Sequence, residues 1–274
     1  MSVSSVASYW SENLIVDHKR YHCAKNFSPH IHDAYELLFL TQGEATYTVD
    51  GKAYSLSRGS FVLTRPMSVH SITFHDPSEY ERYDLLFDAD ILSSKVCDWI
   101  PASLDVISLR NDTVIPELFR KMDYYCANLS ADALEVVLKH LTEEVLLNIY
   151  LASQQAQPRS KYTENPFVKQ AVAYIDSHLT EALSVVYICE QLHITQSYLL
   201  HLFKKHLNIS PKKYIMSKRL AMAQMALRTG LKPVDVYKQC GFSDYSTFFR
   251  AYKNYFGYTP SAENNRELLR DINS

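Results

Sequence analysis

Four residues near the front of the chain have the types and spacing to act together: His30, His32, Glu36 and His70. Imidazole nitrogens and a carboxylate oxygen suit iron, manganese, nickel or zinc, and the same groups hydrogen-bond polar small molecules. Positions 30, 32 and 36 share parity, so along an extended strand their side chains leave on one face, which also carries Leu38 and Leu40. Three readings stay open on these residues. The cluster holds a metal; or, together with Tyr35 and Arg65, it hydrogen-bonds a small effector; or its histidines are satisfied core or surface residues with no ligand role.

A second set of chemical side chains lies in the last third, where the stretch from Gly241 to Pro260 repeats the spacing of His193 to Pro211. Phe203, Lys204, Asn208 and Pro211 fall 49 residues before Tyr252, Lys253, Gly257 and Pro260, whereas Ile188, Leu192 and Ile194 fall 48 before Val236, Cys240 and Phe242. Each unit reads as a short helix, a tight turn and a second helix opened by a capping residue, Thr195 in one and Ser243 or Asp244 in the other. The turn of the second unit carries one extra residue. This is the outline of a tandem helix-turn-helix, whose second helix enters a DNA major groove. In the first such helix Leu199, Leu202 and Phe203 form the core stripe, which leaves Gln196, Ser197, Leu200, His201 and Lys204 outward. In the second, Phe248 and Tyr252 take the core and leave Tyr245, Ser246, Phe249 and Arg250 outward. A guanidinium such as that of Arg250 can bond both O6 and N7 of guanine. Lys204, Lys205 and Lys253 are assigned to phosphates, which position the protein without specifying sequence.

Ile188, Cys189, Tyr198, Leu202 to Lys205, Ser210, Pro211, Arg219, Gly241 to Asp244, Phe248, Arg250, Phe256, Gly257, Thr259 and Pro260 carry a wider likeness. Through them the region from about Phe167 to Pro260 resembles the two-motif DNA-binding domain of the AraC/XylS family of bacterial transcription regulators. By position, the resemblance places base reading at Ser197, Leu200, His201, Tyr245, Ser246 and Arg250. It implies a cytoplasmic, ligand-responsive regulator without a resident cofactor. Its partners would be double-stranded DNA, a small-molecule effector (a sugar by analogy), a second copy of the chain and RNA polymerase. Two departures stand out. Leu200 has no hydrogen-bonding group and His201 replaces a longer basic residue, so the first helix reads bases by methyl contacts or weakly. Tyr237 stands where the family has a small residue, and must repack the first helix of its unit or reach a phosphate oxygen.

The order of His30, His32, Glu36, Gly43, Gly59, Pro66 and His70 also resembles the two cupin motifs, in which three His and one Glu hold a metal. It departs in the second motif, where no Gly lies between Pro66 and His70 and no Asn follows at the usual place. A metal-dependent cupin enzyme, with the helical domain serving only assembly, is therefore the rival reading.

The elements that must position these residues change texture along the chain. From about Phe27 to Phe87, short alternating runs are broken by turns, with Asp50-Gly51 suited to a tight hairpin and Gly43, Gly51 and Gly59 recurring every eight residues. That predicts a small antiparallel, cupin-like barrel or sandwich. From about Ile91 to Ser153, apolar residues step by three and four, as in Leu134, Val137, Leu138, Leu141, Val145 and Leu146. Two amphipathic helices here resemble the family's dimerisation element. The polar run Gln154 to Ser160 reads as a linker. The expected class is α+β: 1–90 an effector-sensing barrel, 91–163 a helical dimerisation region and linker, and 164–274 an all-α DNA-binding domain. A long helix from Pro211 to about Arg228, closed by Thr229-Gly230, spaces the two motifs.

Charge divides the same way. The 274 residues carry a formal net charge of -2, but residues 1–163 hold 14 Lys and Arg against 21 Asp and Glu, whereas residues 164–274 hold 14 against 9. The positive excess sits where phosphates must be met. Five scattered cysteines, Cys23, Cys97, Cys126, Cys189 and Cys240, form no C-x-x-C pair, so neither a disulfide framework nor a zinc knuckle is indicated and a reducing cytoplasm fits. The first residues lack the pattern of a secretory signal, and no apolar run approaches a membrane span.

Overall fold

The computed structural model describes residues 3–11, 13–21, 26–76, 80–108, 113–155 and 162–265. Cys23 and the linker residues 156–160 lie outside them. The remaining cysteines, Cys97, Cys126, Cys189 and Cys240, are free thiols.

The front half folds into β1 (Val3–Trp10), β2 (Leu14–Tyr21), β3 (Phe27–His30), β4 (Tyr35–Gln42), β5 (Ala45–Val49), β6 (Lys52–Leu56), β7 (Ser60–Thr64), β8 (His70–Phe74) and β9 (Tyr80–Phe87). Short α1 (Val96–Trp99) and β10 (Val106–Ser108) follow, then α2 (Val114–Asn128), α3 (Ala131–Gln154) and β11 (Tyr162–Glu164). Two antiparallel sheets form, ordered β1-β2-β9-β4-β7-β10 and β11-β6-β5-β8-β3. The strands stay in two facing sheets rather than closing into one ring of pairs, so the architecture is a sandwich with the strand content of the expected barrel.

Period-two alternation assigns each side chain of the central strand β4 to a layer. Leu38 and Leu40 face the second sheet and pack with Tyr47, Tyr54, Val62 and Ile72. Leu37 and Phe39 face the other way and pack with Phe119 and Met122 of α2 and Leu138, Leu141 and Val145 of α3. The helical stripe read as a dimerisation surface is thereby used up: Leu134, Leu138, Leu141, Val145 and Leu146 are buried against the sheet. The expected middle region shares its core with the strands before it.

The β5–β6 turn forms as the dipeptide requires, with both central residues at positive φ, Asp50 at 43° and Gly51 at 89°. A Cβ on Gly51 would also lie 2.7 Å from Cγ1 of Val168, in the C-terminal domain. The turn tip is a point of close approach as well as a corner.

Eight residues past the end of α3, the chain pairs once more with the sandwich, as Tyr162, Thr163 and Glu164 lie opposite Tyr54, Ala53 and Lys52. It then builds α4 (Pro166–Ser177), α5 (Val185–Leu192), α6 (Gln196–Leu207), α7 (Pro211–Arg228), α8 (Pro233–Gln239) and α9 (Tyr245–Phe256). One core joins α4, α5, α6 and the front of α7 through Val168, Ile175, Ile188, Leu199, Phe203 and Tyr214. Another joins the rear of α7 to α8 and α9 through Leu220, Leu227, Val236, Phe242, Phe248 and Tyr252. Each core belongs to one helix-turn-helix.

Candidate nucleic-acid interface and ligand site

The start of each second helix is fixed by a side chain accepting a free backbone N–H. Thr195 Oγ1 accepts from the N–H of Tyr198 at 3.2 Å, and Asp244 Oδ1 from that of Thr247 at 2.7 Å. Caps of this kind contribute about 1 kcal/mol each. The repeat extends to the backbone: His193 and Gly241, 48 residues apart, both turn at positive φ (53° and 77°), as do Asn208 and Gly257 (54° and 80°), 49 apart. At Gly241 no side chain fits, since a Cβ would meet the Leu179 carbonyl oxygen at 2.4 Å and Arg219 Nε at 2.8 Å. That carbonyl is held by Arg219, whose Nε donates to it at 2.9 Å.

Gln196, Ser197, Leu200, His201, Lys204 and Lys205 are exposed on α6. On α9, Ser246, Arg250 and Lys253 are exposed, while Tyr245 and Phe249 are only half so. Tyr245 meets Tyr237 edge to face at 5.8 Å between ring centres and leans on Phe248 and Phe249. The sequence departure at Tyr237 is thus absorbed by packing. α7, with 18 residues, is about 27 Å long at 1.5 Å per residue and separates the two motifs along its axis.

In the sandwich, the chain brings His30, His32, Glu36 and His70 together, their ligand atoms all within 4.8 Å of one another. They do not lie along one strand: His30 ends β3 in one sheet, His32 sits in the crossover, and Glu36 lies on β4 in the other sheet. His70 opens β8, directly opposite His30. Each histidine points Nδ1 at a backbone carbonyl, His30 at Ser28, His32 at Ala34 and His70 at Ser68, all at 2.9 Å. A carbonyl only accepts, so each Nδ1 carries the proton and each Nε2 turns inward. Glu36 Oε2 lies 3.1 Å from His32 Nε2 and 2.8 Å from His70 Nε2. Burial would raise the Glu36 carboxyl, but His70 and His32 outweigh it and hold it well below the usual range. Burial, with His70 beside it, pushes His30 down to about 3, so its ring is neutral.

Tyr35 and Arg65 do not join this cluster. Tyr35 leaves the opposite face of β4 and stacks on Phe87 at 5.5 Å. Arg65 donates to the carbonyls of Pro101 and Leu104 and pairs with Asp105 at 3.5 Å. Instead, Arg82 and Tyr47 line a cavity of about 20 Å³ beside Glu36 and His70, a volume that suits a single water or ion. Asp17, Arg82 and Asp84 are nearly fully buried between the sheets, and burial, with Glu36 nearby, pushes Asp84 up to about 7. The readable signal was a charge at inward positions of strands otherwise apolar on that face. A larger cleft of about 950 Å³ lies on the helix side of the sheet, lined in part by His18, Phe39, Arg58, Glu81, Tyr83 and Arg120.

The sandwich and the first motif are in contact. Asp50 accepts from Tyr214 Oη at 3.0 Å and from the Val69 N–H at 3.0 Å, with the buried Lys218 Nζ at 3.6 Å. Lys218 also reaches Asp176 at 3.2 Å. Ile31 and Val69 are buried within the first motif's core, and Asp33 pairs with Arg228 at the end of α7.

Two family models match: the AraC-like ligand binding domain over residues 18–122 and a helix-turn-helix domain over residues 188–266. The Msm operon regulatory protein of Streptococcus mutans is 26% identical over 255 residues, 86% of each chain. The lactose operon transcription activator of Staphylococcus xylosus is 25% identical over 240 residues, 82% of this chain and 81% of its own. The raffinose operon regulatory protein RafR of Pediococcus pentosaceus is 35% identical over 92 residues, 33% of each. Among solved structures, ToxT from Vibrio cholerae aligns over 92% of this chain and 98% of its own at 14% identity and a TM-score of 0.40. No helix among the described residues is long and apolar enough to cross a membrane. With a ligand-binding model on the sandwich and a DNA-binding model on the tandem motifs, the chain belongs to the AraC/XylS family and is a DNA-binding transcription regulator rather than an enzyme.

Proposed function

We propose that the regulator lays α6 and α9 into successive major grooves of one duplex and acts in the cytoplasm as a homodimer that engages RNA polymerase. The observation that carries the DNA reading is the outward face of the two capped helices, where Ser197, Leu200, His201, Ser246 and Arg250 stand exposed over filled cores. In this reading Arg250 specifies a guanine, Ser197, His201 and Ser246 add single contacts, and Gln196, Lys204, Lys205 and Lys253 meet phosphates. Tyr245 and Phe249, half-buried, contribute ring edges. The proposed domains are the sandwich with α2, α3 and β11 bound to it, and then the helical DNA-binding domain opening at α4.

The second copy docks on the outer face of α3, where Val136, Leu147 and Leu151 are 56%, 37% and 56% exposed and share one helical face by spacing. The effector is a carbohydrate, as the names of the raffinose and lactose operon regulators suggest. The cleft under α2 has the volume of a small-molecule site and offers Arg58, Glu81 and Arg120 as polar partners above a floor that includes the buried rings of Phe39 and Tyr83.

Fluorescence anisotropy of a labelled operator fragment against salt tests the DNA reading. Neutralising about six phosphates gives a slope of log affinity on log salt near -5. A slope near zero rejects it.

A further inference from the structure

The two reading helices agree at a position that their cores do not require. Counting 49 residues on from α6 sets Ser197 against Ser246, Leu200 against Phe249, His201 against Arg250 and Lys204 against Lys253. With 3.6 residues per turn these four positions span an arc of about 100° on each helix. The arc lies opposite the buried Leu199, Leu202 and Phe203 on α6, and opposite Phe248 and Tyr252 on α9. Three of the four are polar or basic, as a face turned to phosphates and base edges requires. The remaining one is apolar in both copies.

Leu200 is 45% exposed, and among the described residues neither it nor Phe249 belongs to the core of its unit. The half-exposed ring of Phe249 lies 6.1 Å from that of Tyr245 on the same helix. Packing within the units therefore does not account for the apolar choice. One exposed leucine is ordinary on a protein surface. An apolar side chain at the same register in both copies, followed in both by an exposed basic one, is a pattern.

The major groove explains it. Its base edges present donors, acceptors and a single apolar feature, the C5-methyl group of thymine. A leucine or phenylalanine set against a donor or acceptor strips water from it and returns no hydrogen bond, which costs free energy. Set against the thymine methyl, the same side chain buries carbon on carbon and gains.

We propose that Leu200 and Phe249 each read the C5-methyl group of a thymine, one in each major groove, so that each unit sets a methyl contact beside the basic contact of His201 or Arg250. The contact rests on the DNA-binding reading above.

The test uses the full chain and a duplex that it selects from a random pool. Each thymine in turn is replaced by uracil, which keeps every hydrogen-bonding group and removes only the methyl, and affinity is read by fluorescence anisotropy. Two thymines, one helical turn or about 10–10.5 base pairs apart, should each weaken binding on replacement. The loss at each should be about fourfold, the worth of one methyl group removed from water. In Leu200→Ala the penalty at one thymine should vanish while the other stays, and Phe249→Ala should do the reverse. Phe249→Leu, which keeps an apolar contact, should keep its penalty. Circular dichroism checks that the variants fold, and the exposed Leu200 decides the outcome if Phe249→Ala misfolds. A flat uracil scan on a duplex bound selectively and with steep salt dependence overturns the methyl contacts alone. Penalties that persist unchanged in both folded alanine variants overturn them as well. If no duplex is selected with salt-sensitive affinity, the DNA-binding reading itself falls and the methyl contacts with it.

Discussion

The two helix-turn-helix units share spacing, caps and left-handed turns, yet among the described residues the sandwich enters the core of the first and meets the second at fewer points. Asp50, Ile31 and Val69 enter the core and polar rim of the α4 to α7 unit, whereas the second unit is reached through the Asp33 pair with Arg228 and through Tyr255 of α9, which packs beside Ile31. In the proposed reading, base contacts are divided the opposite way, with Leu200 and His201 in the first unit and Arg250 in the other. In the proposed reading, the copy held at more points by the ligand-binding domain is the one it repositions, and the copy held at fewer supplies the steadier sequence preference. On that reading the repeat weights control toward one unit and readout toward the other.

The sharpest way to break this division is to remove one core and watch the other. Phe248 is fully buried in the second unit alone, and Phe248→Ala should cost about 3–5 kcal/mol. Calorimetry should show the second unit melting early while the sandwich and first unit keep their transition. A uniform fall would mean that the two cores act as one.

Readout should follow at somewhat smaller size. Arg250→Ala is expected to weaken operator binding by about 1–3 kcal/mol and to relax one base position, against less than about 1 kcal/mol for Leu200→Ala. Competition binding with single-base operator variants measures both, and equal losses would dissolve the contrast between the units.

Control should depend on the Asp50 turn. Asp50→Ala strands the Tyr214 hydroxyl, the Val69 N–H and part of the charge of Lys218, for about 1–2 kcal/mol in melting. Limited proteolysis between the domains should quicken. An unchanged rate would mean the turn touches without holding.

The smallest expected effect separates the two caps by pH. Thr195 does not titrate. The Thr247 backbone N–H and hydroxyl hold the Asp244 carboxyl below its ordinary value. A depressed carboxyl stabilises fully above its unfolded value, about 3.9, and loses that contribution as pH falls through the folded value. Amide exchange at Thr247 should therefore accelerate below about pH 4 while that at Tyr198 follows the intrinsic rate. Parallel behaviour of both amides would contradict this assignment of the caps.

Much of the DNA-binding half was legible because its signals are local. Thr195, Asp244, Pro211 and the Thr229-Gly230 stop each act within one helical turn, and α7 runs over Pro211–Arg228 as its ends require. The Asp50-Gly51 hairpin was legible for the same reason. Convergence of His30, His32, Glu36 and His70 was also correctly foreseen, though parity along one strand was the wrong cause, because β3 and β4 lie in different sheets. Long-range features left no local mark. Residues 162 and 163, expected in the helical and linker region, and Glu164, expected in the DNA-binding domain, add a strand to β6, and β1 is too polar and exposed to show alternation. Neither the burial of the α3 stripe nor the displacement of Tyr35 and Arg65 from the cluster could be read from spacing, since a helix stripe looks alike in a core and in an interface.

Hydroxyl-radical footprinting of the full chain on its operator reads both units at once. The account predicts two protected windows on one face of the duplex, one helical turn or about 10–10.5 base pairs apart, with Arg250→Ala erasing only the window under α9. A single window, or two that fade together in that variant, would contradict it.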